Sequence, residues 1–138
     1  MKNQEDIGDS IVPFYGEEAG TQLTALLKDH IKYAIDIVLA AKKGEAENQK
    51  VANDAWYWNA ADISKFLSDA NPKYWPYQAV LDMMNEHLRL TTEEAVSMLQ
   101  GNWDKAVTDF ETVREEIIMM SDTIADGIMM QFPDRFKG

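Results

Sequence analysis

In the stretch "DAWYWNAADISKFL", Asp54 to Leu67, two residues with chemical capability, Asn59 and Asp62, sit within a row of apolar side chains at helical spacing. At about 100° per residue, Asn59 falls at the centre of that stripe and Asp62 about 60° to one side, within the arc that faces a core. The only two histidines occupy similar places: His30 lies about 30° from the centre of its own stripe, and His87 about 60° from Met84. Neutral imidazoles and a carboxylate are ordinary ligands for Zn, Fe, Mn or Ni, and the interior of a helix bundle is where such sites are built. The same groups can instead hydrogen-bond to one another and fix helix register with no ligand at all.

Three readings follow from this set. The first is a binding protein that holds a divalent metal such as Zn or Fe, or a small polar ligand, at His30, Asn59, Asp62 and His87. The second is a structural or interaction protein that forms a homodimer and carries no cofactor, its polar layer serving only register. The third is a metal-dependent enzyme at the same residues, with a carboxylate as general base. Dinuclear carboxylate chemistry fits poorly, because Leu27 and Met84 stand where Glu-x-x-His motifs would place glutamates. No phosphate loop, nucleophile elbow or Ser/His/Asp arrangement is present.

Helices must carry these residues, since the 7 Gly and 4 Pro fall mostly at boundaries and no period-2 run is bounded by turn residues. A first long helix is expected from about Gly16–Thr21 to Lys43, with Gly44 as a left-handed stop. A second runs from Ala46 to Ala70 and ends before Asn71-Pro72. A third opens at Trp75-Pro76 and breaks after Leu88, because Thr91 and Glu94 fit a capping box for a short new helix of about Thr92 to Gln100. The last is capped by Asn102, stops at Pro133, and carries Trp103, Ala106, Phe110, Val113, Ile117, Met120, Ile124 and Ile128 on its core face. The expected fold is all-α: one domain over 1–138, an up-down-up-down four-helix bundle with an interrupted third helix and an irregular segment over 1–15. No internal repeat is legible.

Depth along the helices sharpens the site. His30 is fourteen residues before Gly44 and Asn59 fifteen after it, so antiparallel helices place them within about 1.5 Å of the same level. Reflection through the turn near Lys73 brings Asn59 level with His87. From the last helix, Arg114 or Ser121 on the apolar face, or Glu111 or Asp122 on its flank, could join the layer.

Several quoted segments also resemble a known group. "PFYGEEAG", "LLKDHI", "WYWNAADISKFL", "EHLRLT" and "GIMMQFP" are similar to an uncharacterised family of small helical bacterial proteins whose members carry automatic names such as glycosyltransferase or acetylglutamate kinase. Neither a nucleotide-binding sheet nor a phosphate loop can be read here, so the resemblance implies a helical fold and no activity. Longer members carry a preceding helix bearing its own His and a Trp-Thr-Arg motif, so the resemblance also implies that a fourth or fifth site ligand is missing from this chain and that an apolar surface is left for a partner.

Composition narrows the partners. A formal net charge of −11, from 24 Asp+Glu against 13 Lys+Arg, repels phosphate backbones and anionic membranes, which excludes nucleic acid as an expected partner. The absence of cysteine fits a reducing cytoplasm, and no apolar run approaches the ~18 residues of a spanning helix. Finally, "IIMM" at Ile117 to Met120 and the pair Met129-Met130 wrap the last helix in apolar side chains, which predicts self-association with Met119 near the interface.

Overall fold

The computed structural model describes residues 1–137 and is all-helical over them. Five helices follow one another: α1 (Lys2–Tyr15), α2 (Glu17–Lys43), α3 (Ala46–Ala70), α4 (Tyr77–Leu99) and α5 (Trp103–Gln131), with a short 3-10 turn at Pro133–Arg135. Each packs chiefly against its neighbour in sequence, while α2 and α5 hardly touch.

Two of the turns are built alike. Gly44 adopts φ 71°, its N–H bonds to the carbonyl of Ala41, and the N–H of Glu45 reaches back to Ala40. Gly101, also at φ 71°, directs its N–H to Met98 while Asn102 bonds to Ser97. Both are Schellman closures, in which a left-handed residue past the helix end lets two orphan carbonyls be satisfied, and a side chain at either position would be strained. Asn102 then accepts the N–H of Lys105 with its side chain and starts α5 as expected.

Three expectations are corrected. Residues 1–15 are not irregular: α1 forms there, because Gly8 and Gly20 let α1 and α2 approach until a Cβ on Gly8 would overlap Thr24 and the carbonyl of Gly20. Pro13 is tolerated near the end of α1. The third helix is not interrupted either, since Thr91 and Thr92 turn their hydroxyls back to the carbonyls of His87 and Leu88, each at 2.8 Å, and α4 continues to Leu99. A Thr that bonds four residues back belongs to a helix interior, whereas the capping box needed it outside.

The third correction is the rotation of α5. Trp103, Phe110 and Ile117, expected in the core, are 68%, 48% and 41% exposed, and the inward side carries Ala106, Glu116 and Gly127 with Met120, Ile124 and Ile128 partly covered. Two contacts set this rotation. The indole of Trp75, almost fully buried, lies against Gly127, where any Cβ would overlap it, and donates to the carbonyl of Thr123. Asn71 adds a bond from its amide to the carbonyl of Gly127 at 2.9 Å. The core they close contains Trp56, Ala60, Ile63, Leu67, Val80, Met84 and Leu88.

Candidate functional site

Four helices meet in a polar layer. The long axis of α2 carries His30 into it, α3 supplies Trp56 and Asn59, α4 supplies His87, and α5 supplies Glu116. His30 and His87 stack with ring centroids 6.2 Å apart and planes 24° from parallel.

Hydrogen bonds fix the state of His30. Asn59 donates its Nδ2 to the carbonyl of Leu26 at 3.0 Å, so the oxygen Oδ1 is the atom that faces Nδ1 of His30 at 2.7 Å. Nδ1 must therefore carry the proton. Nε2, left with a lone pair, accepts from the indole Nε1 of Trp56 at 3.2 Å. Both ring nitrogens are thus satisfied in the neutral tautomer. Burial moves the His30 pKa below the ordinary 6.5; the Asn59 bond opposes that shift and the nearby His87 adds to it.

The second histidine is held differently. His87 Nδ1 lies 2.8 Å from Oε2 of Glu116, whose residue is only 7% exposed. The other oxygen, Oε1, is buried without a hydrogen-bond partner. A carboxylate in that setting is acceptor-only and lacks a donor it could use.

The two histidine pairs have one construction. Each imidazole bonds to a residue 29 positions further on, across a Schellman glycine fourteen residues after the histidine. Shifting α2–α3 by 57 residues onto α4–α5 superposes His30 on His87, Gly44 on Gly101 and Asn59 on Glu116. Trp56 falls on Val113, which has no N–H to offer. The first pair is therefore closed by an indole that the second pair lacks. Sequence reading missed both this repetition and Glu116.

Of the residues expected to join the site, the structure brings His30, Asn59 and His87 together and leaves the others outside. Asp62 is exposed. The buried residues of α3 (Trp56, Asn59, Ala60, Ile63, Ser64, Leu67) span about 0–140° on one side of Asn59, so Asn59 marks an edge of the buried arc and Asp62 lies beyond it. Arg114 and Glu111 are exposed and pair with each other at 2.8 Å, and Ser121 and Asp122 are exposed as well.

For a metal, the donor set is thin. Among the described residues no group of three or more His, Cys, Asp or Glu side chains is arranged to hold an ion. His30 has no free lone pair unless Trp56 moves, which leaves Oε1 of Glu116 as the buried acceptor to which a ligand could bring a donor. No helix among the described residues is long and apolar enough to cross a membrane. Compared with known proteins, the chain matches no family model, no curated protein and no solved structure.

Proposed function

We propose that this chain is a non-catalytic helical interaction protein, in which α2–α5 form a four-helix bundle with α1 added at one side and the polar layer holds the helices in register. We place it in the cytoplasm, to which its cysteine-free composition is suited. The observation that carries the reading is a contrast. His30 spends both ring nitrogens on the protein itself, while large apolar side chains of α2 and α5 stand exposed. The satisfied His30 half of the layer specifies packing, and a large exposed apolar face specifies a partner.

Two measurements test it together. Melting in the presence of Zn(II) or Fe(II), and after chelation, is expected to stay within a few degrees of the untreated protein. In solution dilute enough to leave that face uncovered, a hydrophobic dye is expected to bind the wild type and to lose most of that binding in Phe110→Glu at unchanged helicity. A large metal-dependent rise in melting temperature, or dye binding indifferent to the substitution, overturns the reading.

A second reading rests on the bare Oε1 of Glu116. A small ligand bearing N–H donors, an ammonium or primary amine, would satisfy it beside His87. Titration of methylamine against imidazole resonances, with only two histidines to assign, distinguishes this from the first reading: His87 would shift and His30 would not.

A further inference from the structure

On one side of the molecule α1 covers only part of α2. The line of close approach passes through Gly20 and Thr24, and Lys28 meets Glu5 near the beginning of α1. Ile31 and Ile35 continue the same side of α2 and are exposed. At its other end α1 reaches α5: Tyr15 donates to Gln131 of α5, and Phe14 packs on Phe132 just past its end.

Exposed apolar residues of α5 form a second row. Trp103, Val107, Phe110 and Ile117 follow 4–3–7 spacing, the a/d rhythm of a helix that pairs with another helix, and all lie within about 80° of one another on the wheel. Height matches too. His30 and Glu116 belong to one layer, and five residues beyond His30 stands Ile35, while five before Glu116 stands Glu111, next to Phe110.

We infer that this face binds a second copy of the same chain, through a two-fold axis at Phe110 with the two α5 helices antiparallel. The inference rests on the interaction reading above and names its partner. Self-complementarity favours this occupant. Trp103 and Ile117 stand seven residues on either side of Phe110, so an antiparallel two-fold sets Trp103 against the partner's Ile117 and Phe110 against its own copy. Ile31 and Ile35 flank the seam, and the two α2–α5 pairs close a four-helix contact between copies. The exposed area of these six side chains is several hundred Å² per copy, approaching the about 800 Å² per partner of an ordinary stable interface. Arg114 fills the remaining position of this rhythm, about 40° from Phe110, so the face carries one cation, paired with Glu111 of its own copy at 2.8 Å. Met119 lies about 180° from Phe110 around α5 and stays outside the contact.

The lack of native cysteine makes the geometry directly testable on the full chain. Sedimentation of the wild type at micromolar concentration should give twice the monomer mass, weakened at least about tenfold in Phe110→Glu and unchanged in Met119→Glu. Under mild oxidation Phe110→Cys should cross-link to itself. Trp103→Cys should not, since its two copies would be about 21 Å apart, but it should cross-link when mixed with Ile117→Cys. A wild-type monomer overturns the inference, as does a dimer indifferent to Phe110→Glu or cross-linked with the reverse preference. If the wild type is monomeric yet Phe110→Glu still abolishes dye binding, the dimer fails and the interaction reading survives.

Discussion

Nδ1 of His87 and Oε2 of Glu116 stand 2.8 Å apart, in the same relation across the α4–α5 turn that His30 and Asn59 have across the α2–α3 turn, but Oε1 of Glu116 has no partner where the Asn59 amide has one. The His87 bond is therefore the sole hydrogen bond to a buried carboxylate. His87→Ala should destabilise by about 1–3 kcal/mol, the cost of leaving a buried group unpaired. In a Glu116→Gln background the same substitution should cost less, because the group left behind is neutral. Urea denaturation of the four proteins closes the cycle, and additive effects would show that the pair does not couple.

Trp56 closes the other half of the layer with one N–H. Trp56→Phe retains an aromatic ring in the core but strands Nε2 of His30, and should cost about 1–3 kcal/mol on top of the cavity left by the smaller ring. In the His30→Leu background there is no nitrogen to strand, so the penalty should shrink toward the packing loss alone. Equal penalties in both backgrounds would mean that the 3.2 Å contact carries no energy.

His30 also sets a direction for pH. Its pKa is lowered in the folded state, chiefly by burial, so the unfolded chain binds more protons as the pH falls. Stability then rises with pH, and the His30 contribution is complete above the unfolded value of about 6.5 and declines as pH falls below it toward the lowered folded value. His30→Gln should flatten this part of the stability profile between about pH 7 and 5 relative to wild type. A slope that survives the substitution would assign it to other groups.

Gly127 tests the rotation of α5. Gly127→Ala gains helix propensity but drives a Cβ into the indole of Trp75, which is confined by the core and by its bond to Thr123. Overpacking should win, with a loss of about 1–3 kcal/mol. Pairing it with Trp75→Phe should recover part of that loss, and thermal melts of the two variants check the sign.

Salt should strengthen self-association. Each copy carries a formal −11, so bringing two together opposes like charge, and raising ionic strength from about 0.01 to 0.15 M shortens the screening length from about 30 to 8 Å. Sedimentation across that range should show tighter dimers at higher salt. A dimer weakened by salt would point to an interface held by ion pairs.

The helices and their ends were largely legible in the chain, because Gly44, Asn71-Pro72, Pro76 and Asn102 act locally, through left-handed φ, missing N–H groups and a side-chain cap. His30, Asn59 and His87 were legible as one layer for a similar reason: a tight turn converts sequence distance into depth. Thr91 and Thr92 were not, since a hydroxyl that bonds backward and one that caps look alike until the helix has its neighbours. That single misreading hid Glu116, because with α4 unbroken the count through Gly101 is the same fourteen and fifteen residues that places His30 beside Asn59. The exposure of Asp62 and the turning of Phe110 and Ile117 outward belonged to tertiary structure alone. A helical stripe broader than its contact can bury more than one arc, and the close approach of Trp75 to Gly127, the Asn71 bond beside it and the pull of His87 on Glu116 select which arc faces in.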